Sequence, residues 1–267
     1  MTPFLSRVAV VAAGLPIVLA TAWLGGWFLV ALAAVAAVVA LHEFYGIARR
    51  FRPLVLAGYA GAVGALIGAE LGGMTWMVGG FSATLVLAFL FAAVAHTRQS
   101  STAAIAATVL GAGWVGLGLG YLVLIRQLDY GRDAILTVLV MVFVTDTFAY
   151  LGGRVAGRHK MSPIMSPGKT WEGFAIGAVA GLVAAFFALY ETEYAGGWRS
   201  FLLGGAVVLA ATFGDLFESL VKRDLEVKDT SRLLAAHGGM LDRIDSLLFA
   251  GPAAYFTLLG LAQLTGR

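Results

Sequence analysis

Between Ser219 and Asp245 the chain reads SLVKRDLEVKDTSRLLAAHGGMLDRID, a charge-dense stretch set between two strongly apolar segments. It brings together cations (Lys222, Arg223, Lys228, Arg243), carboxylates (Asp229, Asp242, Asp245), His237 and the flexible pair Gly238-Gly239. Few binding problems need all four kinds of group. A polyphosphate held with a divalent metal does: carboxylates ligate the hard cation, basic groups neutralise phosphate oxygens, and glycines let the backbone come close.

Further candidates lie upstream. In ATFGDLFESLVKR, Asp215, Glu218 and Lys222 fall at i, i+3 and i+7 with Ser219 at i+4, so they share one helix face. A polar stripe on an apolar membrane helix is hard to explain as lipid-facing surface, and it is expected to line a polar cavity. Asp242 and Asp245, three apart, would likewise share a face, and two such faces meeting would make an oxygen-rich site suited to Mg²⁺. The competing reading is a set of structural salt bridges among Asp215, Arg223, Arg243 and Asp245. Asp146 sits inside or at the end of another apolar run, VLVMVFVTDTFAYLGG, where burying a charge costs on the order of 3 kcal/mol and calls for a polar cavity or a partner. After it, GGRVAGRHKMSPIMSPGKTWEG reads as a loop ending in Ser166-Pro-Gly-Lys169-Thr170. A Walker A loop is excluded because Pro163 stands where that motif needs its first glycine. What remains is a lysine and two hydroxyls at a helix start, which suits a phosphate and equally suits an interfacial anchor. Glu43, at the end of the second apolar run, is either a functional carboxylate or a solvated helix end beside Arg49 and Arg50. Glu70, His42 and His96 carry no assignment.

The elements that must position these residues are membrane helices. Hydrophobic residues make up 60% of the 267 and charged residues 12%, about half the charged share of a soluble domain. Nine apolar runs are long enough to cross a bilayer, near 8–24, 26–41, 55–73, 76–95, 103–125, 134–152, 174–190, 201–220 and 246–264. The fold class is therefore all-α, a polytopic membrane protein. It reads as one integrated membrane domain in which residues 1–130 are scaffold helices and 131–267 carry the chemistry. The first run is read as a retained helix rather than a signal peptide, because a second follows almost at once. With nine spans, one side collects Arg7, Arg49, Arg50, Arg52, Arg98, Arg154, Arg158, Lys160, Lys169, Lys222, Arg223, Lys228, Arg232 and Arg243. The other has Arg126, Arg132, Arg199 and Arg267. That asymmetry puts the N-terminus and both charge-dense loops in the cytoplasm. No cysteine is present, which excludes disulfides, thiolate zinc sites and iron-sulfur clusters. No basic stripe is interleaved with aromatics, so nucleic acid is not an expected partner.

On these residues the chain resembles the phosphatidate cytidylyltransferases, the CDP-diacylglycerol synthases. Ser219, Lys222-Arg223, Lys228-Asp229, His237-Gly238-Gly239 and Asp242-Arg243-x-Asp245 have the spacing of that family's signature. The Asp146-Thr-x-Ala-Tyr and Ser166-Pro-Gly-Lys-Thr-Trp-Glu-Gly blocks look like its upstream blocks. The likeness covers about residues 140–250. One departure is Ala235-Ala236 where the family has Pro-Gly, which would leave that turn less rigid or continue it as helix.

The resemblance implies CTP and phosphatidate as substrates, CDP-diacylglycerol and pyrophosphate as products, and Mg²⁺ as cofactor with a monovalent cation such as K⁺ beside it. It also implies a homodimer in a bacterial inner membrane with the site facing the cytoplasm, in keeping with a short form that has no N-terminal extension. In that frame Asp215 and Asp242 are metal ligands, with Asp245 and Asp146 as further carboxylates. Lys222, Arg223, Lys228 and Arg243 hold phosphates, and His237, Gly238 and Gly239 approach the nucleotide or the leaving pyrophosphate. Asp229 and Ser219 complete the signature, while Ser166, Lys169 and Thr170 close the site. Two other classes compete: a CTP-dependent polyprenol or lipid kinase, and an ion-coupled transporter using Asp146, Asp215 and Glu218.

Overall fold

The computed structural model of the chain describes residues 3–94, 101–192, 194–231 and 238–264, with residues 3–13 as backbone only. Its helices are α1 (Pro3–Leu24), α2 (Gly26–Ile47), α3 (Val55–Val94), α4 (Ser101–Gly111), α5 (Gly118–Arg126), α6 (Gly131–Ala156), α7 (Trp171–Leu189), α8 (Trp198–Asp224) and α9 (Leu241–Leu264). A π-helical turn, Ala112–Leu117, joins α4 to α5 into one span, Ser101–Arg126. Among the described residues seven helices are long and apolar enough to cross a membrane. One of them, α3, breaks into two arms at Gly72–Gly73, where Gly73 takes φ +65° and the chain turns back. With the arms taken apart and α1 included, the elements correspond one to one with the apolar runs of the sequence.

Two compact units divide the chain, residues 1–128 with 225–244, and residues 129–224 with 245–267. The first holds α1 to α5 and the stretch that leads into α9. Its helices touch where side chains are smallest: a Cβ on Gly64 or Gly80 would press on the backbone of the opposite arm of α3, and one on Gly116 would press on Ala62. Close approach through small residues is how membrane helices gain van der Waals contact when apolar burial itself offers little. Polar ties then fix the pairing. The Tyr45 hydroxyl donates to the Thr108 carbonyl at 2.8 Å, and Arg126 donates to the carbonyls of Ala22 and Trp23 at the end of α1.

In the second unit α6 and α7 lie backbone to backbone. Gly173, Gly177 and Gly181 recur every fourth residue along α7, and Cβ atoms on them would meet Ala149, Gly153 and Thr145 of α6. The same device joins α8 to α9, since a Cβ on Gly214 would lie 2.5 Å from the Asp245 carbonyl oxygen.

The connection from α6 to α7, expected as a plain loop, is more ordered than that. Helix α6 continues to Ala156, and Gly157 leaves it in extended geometry. A two-stranded antiparallel hairpin follows, β1 (Lys160–Ser162) paired with β2 (Ser166–Thr170), with Lys160 opposite Thr170 and Ser162 opposite Ser166. Its base is held by α7. The Glu172 carboxylate accepts the N–H groups of Arg158 and His159 at 3.0 and 3.1 Å, and the Thr170 hydroxyl caps the helix by accepting the Gly173 N–H at 3.2 Å. Strand pairing was not readable from a segment with prolines at 163 and 167.

Gly177→Leu is expected to separate α6 from α7, because its side chain would enter space already held by Ala149 and the Thr145 carbonyl. Overpacking of this kind costs about 1–3 kcal/mol. Gly205→Ala, which meets no atom within 4 Å, should leave the melting temperature in detergent unchanged or raised. Equal melting temperatures for the two variants would refute the close-packing account.

Candidate functional site

In the second unit the stripe on α8 faces the start of α9. Ligand oxygens of Asp215, Glu218 and Asp245 all lie within 4.8 Å of one another. Two elements bring them there: helical spacing puts Asp215 and Glu218 one turn apart, and Gly214 lets the α9 backbone come close enough to present Asp245. Burial differs across the group. Glu218 is 2% exposed and Asp245 7%, while the Asp215 side chain keeps 38% of its surface.

Lysines flank the carboxylates. Lys169, from β2 of the hairpin, places Nζ 2.7 Å from Asp215 Oδ2. Lys222, one turn beyond Glu218, places Nζ 2.6 Å from its Oε2. Asp146 of α6 joins the same electrostatic neighbourhood: it interacts with Asp215 and Lys169 and is hydrogen-bonded by Ser246. The Ser246 N–H in turn donates to Asp245 Oδ1 at 2.8 Å. Among the described residues of this cluster four carboxylates stand against two ammonium groups, so with every carboxylate ionised one divalent cation would balance the formal excess.

Chemistry and spacing both suit a hard cation. Octahedral Mg²⁺ binds oxygen at about 2.1 Å, so its ligand oxygens lie roughly 3 Å apart when adjacent and about 4 Å when opposite. The triad's oxygens, all within 4.8 Å of one another, would need only small shifts to reach that spacing. Asp215, half-open, leaves room for water or a phosphate oxygen in the remaining positions.

The first unit holds a second constellation around Asp242 and Glu43. Asp242 Oδ2 accepts the Gly239 N–H at 2.7 Å, the Thr230 N–H at 3.3 Å and the Thr230 hydroxyl at 3.0 Å. Glu43 is buried, at 5% exposure, rather than a solvated helix end. Its Oε1 accepts from the Ser231 hydroxyl (2.5 Å) and the Met240 N–H (3.0 Å). Its Oε2 accepts from the Leu241 N–H (2.9 Å) and, more distantly, the Thr230 hydroxyl (3.4 Å). Gly238 takes φ +77°, a conformation open to glycine.

The candidates read from the sequence are thus distributed over both units. Asp146, Lys169, Asp215, Lys222 and Asp245 come together in the second, where Ser219 is buried beside them in sequence and Thr170 serves as helix cap. Ser166 sits in strand pairing with Ser162. Arg223, expected on a phosphate, donates from Nε to the Met165 carbonyl at 3.2 Å and so ties the hairpin turn to α8. In the first unit Lys228, Asp229 and Arg243 are exposed, and Gly238, Gly239 and Asp242 form the turn into α9. His237, Arg232 and the Ala235-Ala236 departure lie outside the described residues, as do His96, Arg98 and Arg267.

Two carboxylates stand in closer company than their sequence positions disclose. Glu218, on the stripe between Asp215 and Lys222, lies with Asp215 and Asp245 in one cluster. Glu43 offered only a lone carboxylate at a helix end, and its partners stand almost two hundred positions away.

Residues 5–260 match the profile of the Cytidylyltransferase family. A Mycobacterium bovis protein named phosphatidate cytidylyltransferase is 35% identical over 259 aligned residues, covering 86% of this chain and 79% of that one. The Mycobacterium leprae protein of the same name is 35% identical over 256 residues with the same coverage. A Staphylococcus aureus protein of that name is 37% identical over 146 residues, covering 54% of this chain and 55% of its own.

Lys222→Met is expected to destabilise the second unit by roughly 3–5 kcal/mol, since it leaves the buried Glu218 carboxylate without its ammonium partner. Lys222→Met combined with Glu218→Gln should recover most of that loss. Thermal unfolding of the single and double variants in detergent measures the coupling, and additive losses would show the pair to be uncoupled.

Proposed function

The chain belongs to the cytidylyltransferase family, and from that premise we propose that it joins CTP to phosphatidate, forming CDP-diacylglycerol and releasing pyrophosphate with Mg²⁺ as cofactor. The observation that carries the reading is the convergence of Asp215, Glu218 and Asp245 between Lys169 and Lys222. Phosphatidate is a phosphate monoester whose oxygen is already a competent nucleophile, so no general base is required. That oxygen attacks the α-phosphorus of CTP as the bond to the β-phosphate bridging oxygen breaks, and the electron pair leaves with pyrophosphate. The obstacle is charge: two polyanions must be brought in line against their mutual repulsion.

Asp215, Glu218 and Asp245 would hold the magnesium, with Asp146 as a further carboxylate beside them. The bound ion supplies neutralisation of the phosphate oxygens. Lys169, 21% exposed on its hairpin, is set to exchange its contact with Asp215 for a substrate phosphate. Lys222 orients Glu218 through its Nζ contact with Oε2. The Lys228, His237, Gly238-Gly239 and Arg243 stretch takes the nucleotide and its leaving pyrophosphate, a role supported by the signature spacing. Asp242 contributes by holding that stretch through Oδ2; the resemblance also gives it a metal contact.

The apolar helices make this an integral membrane protein. Its bacterial relatives and the excess of cations on one set of loops support an inner-membrane location with the chemistry on the cytoplasmic side. The resemblance supports a homodimer with a monovalent cation such as K⁺ beside the magnesium.

Purified protein in detergent, given CTP, Mg²⁺ and phosphatidate, should release pyrophosphate only when the lipid is present. Label at the α-phosphate of CTP should appear in the lipid, whereas label at the γ-phosphate should appear in pyrophosphate. Finding the γ-label alone on lipid would reject this reading in favour of a CTP-dependent lipid kinase. Chelation should abolish turnover and added Mg²⁺ restore it. Asp215→Asn and Asp245→Asn should each lower kcat by at least about 100-fold, the loss usual for groups that only orient a metal's ligands, with the protein still inserted; near-normal turnover in both would remove the metal role.

A further inference from the structure

We infer that Glu172 and Arg223 are positioning residues for Lys169: they fix the two ends of the β1–β2 hairpin, so that the Lys169 ammonium group is presented to Asp215 from a held strand. That the ammonium then serves a substrate phosphate rests on the function proposed above; the clamp itself rests on hydrogen bonds. A glutamate in the first turn of a helix needs no special role, since the macrodipole stabilises it there. Glu172 does more, because its carboxylate turns back to the chain entering the hairpin. Oε2 accepts the Arg158 N–H at 3.0 Å and the His159 N–H at 3.1 Å, and Oε1 lies 2.5 Å from His159 Nδ1.

The base is closed from the other direction as well. The Trp171 N–H donates to the His159 carbonyl at 3.0 Å, so His159 is tied to the first turn of α7 through both its amide and its carbonyl. Lys160 pairs with Thr170, and a Cβ on Gly157 would lie 2.8 Å from the Thr170 hydroxyl. Strand β2 therefore ends against a partner already pinned, and Lys169 stands one residue before that end.

At the turn, Arg223 of α8 donates from Nε to the Met165 carbonyl at 3.2 Å, while Lys169 reaches Asp215 of the same helix at 2.7 Å. The two spans match. The helical rise from Asp215 to Arg223 is about 12 Å, and the extended chain from Lys169 to Met165 covers about 13 Å. Strand β2 thus lies along α8 with both contacts made at once and neither element bent. A strand held in this way leaves the lysine side chain as the part that changes partner. Exchange of Asp215 for a phosphate then needs rotation about the side chain's own bonds, not movement of the hairpin.

Glutamine can stand in for Glu172 where alanine cannot. Its carbonyl oxygen can take the two backbone N–H groups that Oε2 now accepts, and its NH₂ can donate to the His159 ring, whose neutral form offers an acceptor nitrogen. Alanine removes all three contacts and leaves only the Trp171 bond and the strand pairing at the base.

Full-length wild type, Glu172→Ala, Glu172→Gln and Arg223→Met in detergent provide the test, each also combined with Lys169→Met. Glu172→Ala should lower kcat/KM at least about tenfold, the scale of a misplaced reacting group, and Glu172→Gln should stay within about threefold of wild type, its hydrogen bonds being kept. In the Lys169→Met background neither Glu172→Ala nor Arg223→Met should lower kcat/KM further by more than about twofold, because the group they position is gone. Additive losses overturn the inference: they would give Arg223 a phosphate contact of its own and Glu172 a role in stability alone. Trypsin cleavage after the exposed Lys160, read by mass, measures the clamp without turnover. It should quicken at least about fivefold in Glu172→Ala and in Arg223→Met, as local opening becomes easier, and an unchanged rate in both overturns the clamp. Should Glu172→Ala fail to insert, Arg223→Met decides by the same two readouts, and cleavage decides wherever turnover is too low to compare. Wild-type protein that releases no pyrophosphate overturns the proposed reaction and leaves the clamp to be judged by cleavage.

Discussion

Charge imbalance inside an apolar bundle is the constraint on which the second unit depends. Four carboxylates and two lysine ammonium groups meet among helices whose other surfaces suit hydrocarbon. Electrostatic interactions strengthen where water is excluded, so such an excess is expensive when unbalanced and powerful when balanced. A cation and a polyanionic substrate arriving together would relieve it, so the binding proposed for this site would draw on the same charge that makes the site costly without them. Lys222 and Lys169 divide the work. Lys222 pairs with the most buried carboxylate and so stabilises a fixed part of the structure, whereas Lys169 pairs with Asp215, whose side chain keeps 38% of its surface, and sits on a hairpin.

Bringing like charges together requires that the backbones carrying them approach closely. Glycine does this at each junction that matters. Gly214 sets the distance from α8 to Asp245, and the Gly173, Gly177, Gly181 series sets α6, with Asp146, against α7. In a soluble protein, apolar burial could hold such helices together. In lipid the gain comes from contact itself, which is why side-chain volume at these few positions governs the geometry of polar groups a turn away.

The helical spacing of Asp215, Glu218 and Lys222 on one face was legible in the sequence because it is local, fixed by 3.6 residues per turn. The apolar runs were legible for the same reason, down to the two arms of α3 separated at a glycine pair. What the residues did not disclose was pairing at long range. Arg223 looked like one more phosphate cation, yet its Nε holds the Met165 carbonyl. Their spacing predicts a shared helix face for Asp242 and Asp245, but Oδ2 of Asp242 collects donors from Thr230 and Gly239 while Asp245 lies with Asp215 and Glu218. Glu43 could not have been joined to Leu241 by any periodic pattern, since only tertiary structure brings them together. The hairpin was hidden by prolines that disfavour strands in general and are tolerated in a two-stranded edge.

Two physical strategies follow from these arrangements, and the chemistry explains why both are needed. Around Asp215, Glu218 and Asp245 carboxylates gather on few cations, so the magnesium proposed there would gain affinity from the charge that the cluster lacks. Around Glu43 and Asp242 carboxylates accept from neutral amide and hydroxyl donors, so the turn into α9 is held by hydrogen bonds. Had Glu43 been paired with a lysine, an incoming triphosphate would compete for that lysine and loosen the turn as it bound. Amide and hydroxyl donors in a buried setting have no such alternative. In the proposed reaction, whose main barrier is repulsion between two polyanions, supports of this neutral kind would not be competed away by the arriving charge.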